Sequence, residues 1–172
     1  MPHINIEIKA RTSEKDKIRE MLKSLRAEFK GVDHQVDTYF RVNKGRLKLR
    51  EGNIENHLIY YTRADVAGPK KSTVLLHKNT PGSNLRQILA LSLDILATVD
   101  KQREIYFIDN VKFHLDEVIG LGNFVEIESI DVGGALGEKK LLEQCNYYIG
   151  LFGLTKEDMI ASSYSDLLLA KN

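Results

Sequence analysis

The sequence predicts an α+β domain built on a mainly antiparallel sheet, and three observations point there. Short segments of strict apolar/polar alternation recur along the chain, as half-buried strands require. Most successive segments are joined by connections too short for a parallel crossover, which needs a dozen or more residues. Between the strands lie stretches whose apolar residues return at helical spacing, and such helices need apolar sheet surface to pack on.

The first strand is Ile4 to Ala10, with Ile4, Ile6 and Ile8 on one face and Asn5, Glu7 and Lys9 on the other. Ser13, with Asp16 three residues on, opens a helix in the manner of a capping box. Its apolar residues Ile18, Met21, Leu22, Leu25 and Phe29 follow helical spacing, and Gly31 is the expected stop. Asp37 to Val42 and Arg46 to Glu51 flank Asn43-Lys44-Gly45, a hairpin loop with Gly at its end. His57 to Ala64 and Ser72 to Asn79 are the next strands. The Gly68-Pro69 segment between them, Asp65 to Lys71, reads as a mobile loop. Ser83 caps a helix carrying Leu85, Ile88, Leu89, Ile95 and Leu96. Val99 to Ile108 and Val111 to Val118 form a hairpin across Asp109-Asn110, and Asn123 to Asp131 follows as a strand. A helix from about Gly137 to Phe152 stops at Gly153. The last opens at Thr155, with Asp158 three residues on, and carries Ile160, Tyr164, Leu167 and Leu168.

That makes about eight strands and four helices in a chain of 172 residues, with no repeat or linker, read as one domain over 1–172. Lys and Arg number 25 against 24 Asp and Glu, a net charge of +1, so bulk charge speaks for neither a nucleic-acid nor a membrane partner. Cys145 is the single cysteine, which excludes an intrachain disulfide and fits a reducing, cytoplasmic compartment. It falls on the apolar stripe of its helix and is expected in the core. No basic-then-apolar leader is visible before Ile4. The most apolar run, Ile88 to Val99, is broken by Asp94 and too short to span a bilayer.

Charge is distributed unusually. Arg46, Lys48 and Arg50 share one strand face, as do Lys101 and Arg103, Lys112, His114 and Asp116, and Glu126 and Glu128. If helices cover the apolar faces, the charged faces turn together towards water. An open sheet would do this, and so would a barrel with a wet lumen, for which eight strands suffice. Basic residues fall on some strands and carboxylates on others, an arrangement suited to a polyanion held through a metal. Arg and Lys grip phosphate oxygens directly, and carboxylates hold Mg²⁺ or Mn²⁺. Glu126 and Glu128, about 7 Å apart on one strand face, are the leading metal ligands. An isolated pair of this kind is ordinarily a solvated face.

In order along the chain, several segments resemble the CYTH superfamily of triphosphate-tunnel enzymes, which includes class IV adenylyl cyclases and thiamine triphosphatases. Asn5-Ile-Glu7-Ile-Lys9 lies at its N-terminal E-x-E-x-K signature, Asp37-Thr-Tyr39-Phe40 at its D-x-Y-F strand and Leu47-Lys48-Leu-Arg50 at its L-R-I-R strand. Lys101-Gln-Arg103, His114-Leu-Asp116-Glu-Val118, Gly120-Leu-Gly122 and Phe124-Val-Glu126-Ile-Glu128 match its later blocks. Leu58 to Arg63 with Gly68-Pro69-Lys70, and Ser163 to Leu168, are similar to its cyclase-like bacterial branch.

The resemblance implies a closed eight-stranded antiparallel barrel with helices outside and a tunnel for a triphosphate and one or two divalent metals, Mg²⁺ or Mn²⁺. Glu7, Asp116, Glu126 and Glu128 are then the catalytic metal ligands. Lys9, Lys48, Arg50, Arg63, Lys78, Lys101 and Arg103 grip phosphate, with Lys70 closing over the ligand from its loop. Asn5 stands where the family has its first carboxylate, which removes a negative charge and shifts the balance towards one tight metal. The implied activity is conversion of ATP to cyclic AMP and pyrophosphate. The alternatives are hydrolysis of tripolyphosphate, thiamine triphosphate or a nucleotide, and a non-catalytic polyphosphate sensor. Relatives often dimerise, so a homodimer is a further expectation.

Overall fold

Alternation along each strand becomes inside-versus-outside in a closed barrel. The structure is a computed structural model and describes residues 3–172. The strands are β1 (His3–Arg11), β2 (Glu28–Phe40), β3 (Arg46–Gly52), β4 (Asn56–Arg63), β5 (Lys70–Lys78), β6 (Ile95–Ile108), β7 (Val111–Val118) and β8 (Gly122–Asp131). They close in the order β1-β5-β4-β3-β2-β6-β7-β8, and every neighbouring pair is antiparallel. The helices are α1 (Lys15–Ser24), α2 (Leu85–Ser92), α3 (Gly137–Leu151) and α4 (Tyr164–Ala170).

The main apolar core lies outside the barrel wall. Outward residues of β1, β7 and β8, among them Ile6, Ile8, Phe113, Leu115, Val125 and Ile127, pack under Ile18 and Leu22 of α1 and Leu141 and Cys145 of α3. Cys145 is buried there as expected, and burial pushes its thiol up to about 12. Phe113 is fully buried, its ring edge-on to Tyr148 at 4.7 Å and to Phe152 at 5.7 Å. α4 sits differently. Its Tyr164 joins Tyr39, Val99, Val118 and Phe124 in a second apolar cluster, with Leu167 and Leu168 packed against it. Those barrel residues belong to the same end of their antiparallel strands, so α4 plugs that end of the lumen. α2 buries no residue, and Ile88 and Leu91 on it are exposed. Among the described residues no helix is long and apolar enough to cross a membrane.

Four expected boundaries move. The first helix starts at Lys15 after Glu14, with no side-chain cap from Ser13, and ends at Ser24. The Ala27 amide reaches back to the Leu22 carbonyl at 3.0 Å, and Arg26 takes φ +56°. This is a left-handed helix stop that usually carries Gly, so Arg26 gave no signal. Phe29 and Gly31 therefore belong to β2, where Gly31 sits at a bulge. Ile95 and Leu96 open β6 instead of closing α2. The Thr155/Asp158 box caps only a single 3₁₀ turn, Lys156–Asp158, and a second box, Ser163/Asp166, starts α4. The hairpin at Gly45 stands as read, with φ +64°.

Candidate active site

The inward residues line one cavity inside the barrel. β1 contributes His3, Asn5, Glu7 and Lys9; β3 contributes Lys48 and Arg50; β6 contributes Lys101 and Arg103; β8 contributes Glu126 and Glu128. Arg63 enters from β4, and Lys112 and His114 from β7. Tyr164 of α4 and its N-cap Ser163 floor the closed end.

One group of charges centres on Asp37, which is fully buried. Arg50 donates to both its oxygens at 2.9 Å, Lys101 lies at 2.9 Å and Lys48 at 3.1 Å. Burial alone would raise the Asp37 carboxyl, but these three cations hold it well below the usual range. They exceed it in charge. Burial, only partly offset by Asp37, draws Lys101 down to about 7, and Arg50, Arg103 and Lys48 add to the fall. This cluster lacks an anion.

Arg103 donates to Asp116 at 2.7 and 2.6 Å and to Glu126 at 3.2 Å. The Tyr164 hydroxyl donates to the same Asp116 at 2.7 Å. Asp116 is fully buried behind the cavity lining with both oxygens engaged, and it aims Arg103 and Tyr164. Lys9 lies 3.7 Å from Glu126 and 3.8 Å from the centre of the Tyr164 ring; burial lowers it to about 8. Arg63 donates to Glu7 through Nη1 at 2.6 Å, while its buried Nε and Nη2 have no partner.

The metal-competent atoms lie on β7 and β8. Oxygens of Glu126 and Glu128 and a ring nitrogen of His114 come within 4.8 Å of one another. Register explains this: Glu126 pairs across the sheet with His114 on one side and Lys9 on the other, and Glu128 pairs with Glu7. Burial, with Glu7 and Glu126 as like-charged neighbours, pushes Glu128 up to about 7. Burial lowers His114 to about 4, leaving a neutral imidazole with Nδ1 3.3 Å from Glu126 and Nε2 without a partner. Two carboxylates and a neutral imidazole suit a divalent cation, and an uncompensated buried carboxylate is what such a cation would relieve. The residues fit the ion.

Of the residues singled out from sequence, Glu7, Lys9, Lys48, Arg50, Arg63, Lys101, Arg103, Glu126 and Glu128 meet in this cavity. Asp116 does not line it. Neither does Lys70, which lies at the start of β5 and not in the preceding loop; its Nζ donates to the carbonyls of Val66, Ile160 and Ala161. Lys78 is exposed at the end of β5, off the lining. Sequence reasoning assigned no site role to Asp37, Glu55 or Lys112. Glu55, on the β3–β4 turn, bonds Arg50 at 3.0 Å and Lys112, and those cations outweigh burial to depress its carboxyl. Only strand parity could have flagged Asp37 and Lys112, and nothing in the sequence marks a turn residue such as Glu55. Carboxylates and cations, separate by strand, thus meet across the lumen.

A family model described as the CYTH domain matches residues 3–157. A Methanocaldococcus jannaschii protein named as a candidate adenylate cyclase is 27% identical over 173 residues, covering 95% of this chain and 98% of that one. A solved Pyrococcus horikoshii OT3 protein superposes with a TM-score of 0.73 at 24% identity, covering 95% of this chain and 98% of the other. A Hippeastrum candidate adenylyl cyclase, described as having a dominant triphosphatase activity, superposes with a TM-score of 0.62 at 12% identity over 98% of this chain and 95% of its own. The two superpositions establish a shared fold.

Proposed function

The chain belongs to the CYTH family, and from that premise we propose that it is a divalent-metal-dependent enzyme acting on a triphosphate drawn into the barrel. The observation that carries this reading is a single buried cavity with surplus cations on one side and a metal-competent cluster on the other. Lys48, Arg50 and Lys101 gather on Asp37, with Arg50 reaching Glu55 as well, and Arg63 keeps two buried N–H donors unpaired. Unpaired buried donors are costly, and phosphate oxygens would satisfy them.

In this reading Arg63, Arg50, Lys48 and Lys101 hold non-bridging oxygens, and Arg103, fixed by Asp116, is aimed from the floor. Glu126, Glu128 and His114 would hold Mg²⁺ or Mn²⁺, with Glu7 beside them. The ion would neutralise charge building on the phosphate and favour attack by an oxygen nucleophile. The buried donors need no reorganisation as that charge develops, which is the source of their effect. Lys101 gains its proton at Nζ when the polyanion arrives. The leading substrate is ATP, cyclised to cyclic AMP with release of pyrophosphate; the name and full-length match of the M. jannaschii relative favour it. Hydrolysis of the triphosphate is the second reading, favoured by the Hippeastrum protein. A cytoplasmic setting belongs to the same proposal, supported by the single buried thiol.

The test is incubation of the pure protein with Mg²⁺ or Mn²⁺ and ATP, thiamine triphosphate or tripolyphosphate, with the products resolved. Cyclic AMP and pyrophosphate support cyclisation, and orthophosphate alone supports hydrolysis. Absence of any turnover with every substrate and both metals contradicts the enzymatic reading.

A further inference from the structure

One ion pair crosses the lumen instead of following its wall. Glu55 stands on the turn before β4 and Lys112 on β7, and three strands separate β4 from β7 in either direction round the ring. The two side chains thus reach in from opposite walls, and they meet in direct contact within the cavity. Arg50 joins them, its Nη1 donating to the second Glu55 oxygen at 3.0 Å, while its Nε and Nη2 stay on Asp37. This bar lies far from the plug. Arg46 at the start of β3 bonds Ser163 and Asp166 at the start of α4, so Gly52 at the end of β3, and the turn after it, belong to the opposite end of the barrel.

The turn has anchors of its own. Asp33 accepts from the amides of Ile54 and Glu55 at 2.8 and 3.0 Å, and the Asn56 side chain bonds both the amide and the carbonyl of Gly52. The backbone of Glu55 is therefore held while its carboxylate can turn to another staggered rotamer. Between Arg50 and Lys112 it takes charge-assisted hydrogen bonds of the kind that phosphate oxygens take, so the two anions compete for the same donors. With α4 closing the far end, an incoming anion must pass Glu55. We propose that Glu55 is an internal counter-anion barring the tunnel, and that a polyphosphate enters by displacing it from Arg50 and Lys112. The inference rests on the triphosphate reading above and adds to it the group that the ligand dislodges. A tethered carboxylate competes at high effective concentration, so a small monoanion gains little from the exchange. A polyphosphate gripped as well by Lys48, Lys101 and Arg63 prevails over it. When the ligand leaves, Glu55 returns, and the largely buried Lys112 ammonium is spared standing unpaired.

Metal-free calorimetric titration of inorganic tripolyphosphate in EDTA tests it without turnover, on the full chain as wild type, Glu55→Gln and Lys112→Met. Glu55→Gln keeps the shape and removes the charge, and it should bind tripolyphosphate about tenfold more tightly than wild type, since a like charge beside the ligand is gone. Lys112→Met should weaken binding. A carboxylate whose role was to orient Arg50 and Lys112 for the ligand would give the opposite sign in Glu55→Gln. Should that variant fail to fold, a crystal structure of wild type with tripolyphosphate decides. Phosphate oxygens on Arg50 and Lys112, with Glu55 turned away, support the bar, and Glu55 still on both cations overturns it. Equal or weaker binding by Glu55→Gln overturns the bar and leaves the triphosphate reading standing. Failure of wild type and Glu55→Gln alike to bind overturns both.

Discussion

Lys101 concentrates the electrostatics of the lumen in one residue. It is fully buried, ion-paired to Asp37, and drawn down to about 7 because burial and the neighbouring cations outweigh that partner. A bound polyanion restores the ammonium, so Lys101 should contribute close to one proton to the uptake on binding at pH 8 and close to none at pH 6, beside the shares of Lys9 and Glu128. Calorimetry with tripolyphosphate in two buffers of different ionisation enthalpy reads this directly. Lys101→Arg, which stays charged throughout, should lower the uptake at pH 8 by close to one proton; unchanged uptake in that variant would refute the assignment. A second residue-scale prediction concerns Gly52. A Cβ there would lie 2.7 Å from the Asp33 carboxylate and 2.8 Å from the Glu55 carbonyl. Asp33 holds the turn through the amides of Ile54 and Glu55 at 2.8 and 3.0 Å. Gly52→Ala should therefore displace Glu55 from Arg50 and Lys112, seen as a lowered melting temperature and altered tripolyphosphate affinity; identical values in both assays would contradict it. Parity along a strand told which of these side chains face inward. It could not tell that Asp116 is consumed by Arg103 and Tyr164, because partners inside a closed barrel are set by register around the whole ring.

Elements divide between wall and plug. Phe113 sits where β7 meets α3, and Phe113→Ala should cost about 3–5 kcal/mol, read by denaturant unfolding. A cost under about 1 kcal/mol would mean that α3 is not the cover of this face. At the other end, Ser163 Oγ accepts from the Asp166 amide at 3.2 Å and from Arg46 at 3.0 Å, tying α4 to β3. The eight strands were legible from alternation and the hairpin turns from Gly45 and Asp109-Asn110, because those signals are local. The plug was not. Thr155 and Ser163 each open a capping box, and only tertiary packing of Tyr164 on Phe124, with ring centres 4.9 Å apart, selects the second as the true helix start. Arg26 hid the end of α1 for a related reason: a left-handed stop without Gly is held by its hydrogen bonds, not by residue type.

Across the whole molecule, buried carboxylates set the response to acid. Asp37, Glu55 and Glu126 are all depressed because neighbouring cations outweigh their burial. The unfolded chain therefore binds more protons than the native one as these groups titrate. Their contribution is present in full above the ordinary carboxylate value of about 4 and is lost as the pH falls below it towards the native values. Melting temperature should hence fall steeply below about pH 4, and a flat profile down to pH 2 would contradict the paired lumen. The barrel makes this possible by gathering charge inside and leaving the outer face to α1 and α3, an inversion of the usual apolar interior.

The central claim is that Glu126 and Glu128 hold a divalent cation against a triphosphate in that interior. Binding of Mn²⁺ in the presence of ATP, followed by electron paramagnetic resonance and set beside turnover, tests it most directly in wild type and in Glu126→Gln with Glu128→Gln. Wild type should bind the ion and turn over. The double variant should stay folded, with a melting temperature lowered by the loss of Glu126 as a partner of Arg103 and Lys9, and lose both. A double variant that unfolds would show these residues to be structural, and one that still binds Mn²⁺ and turns over would place the metal elsewhere.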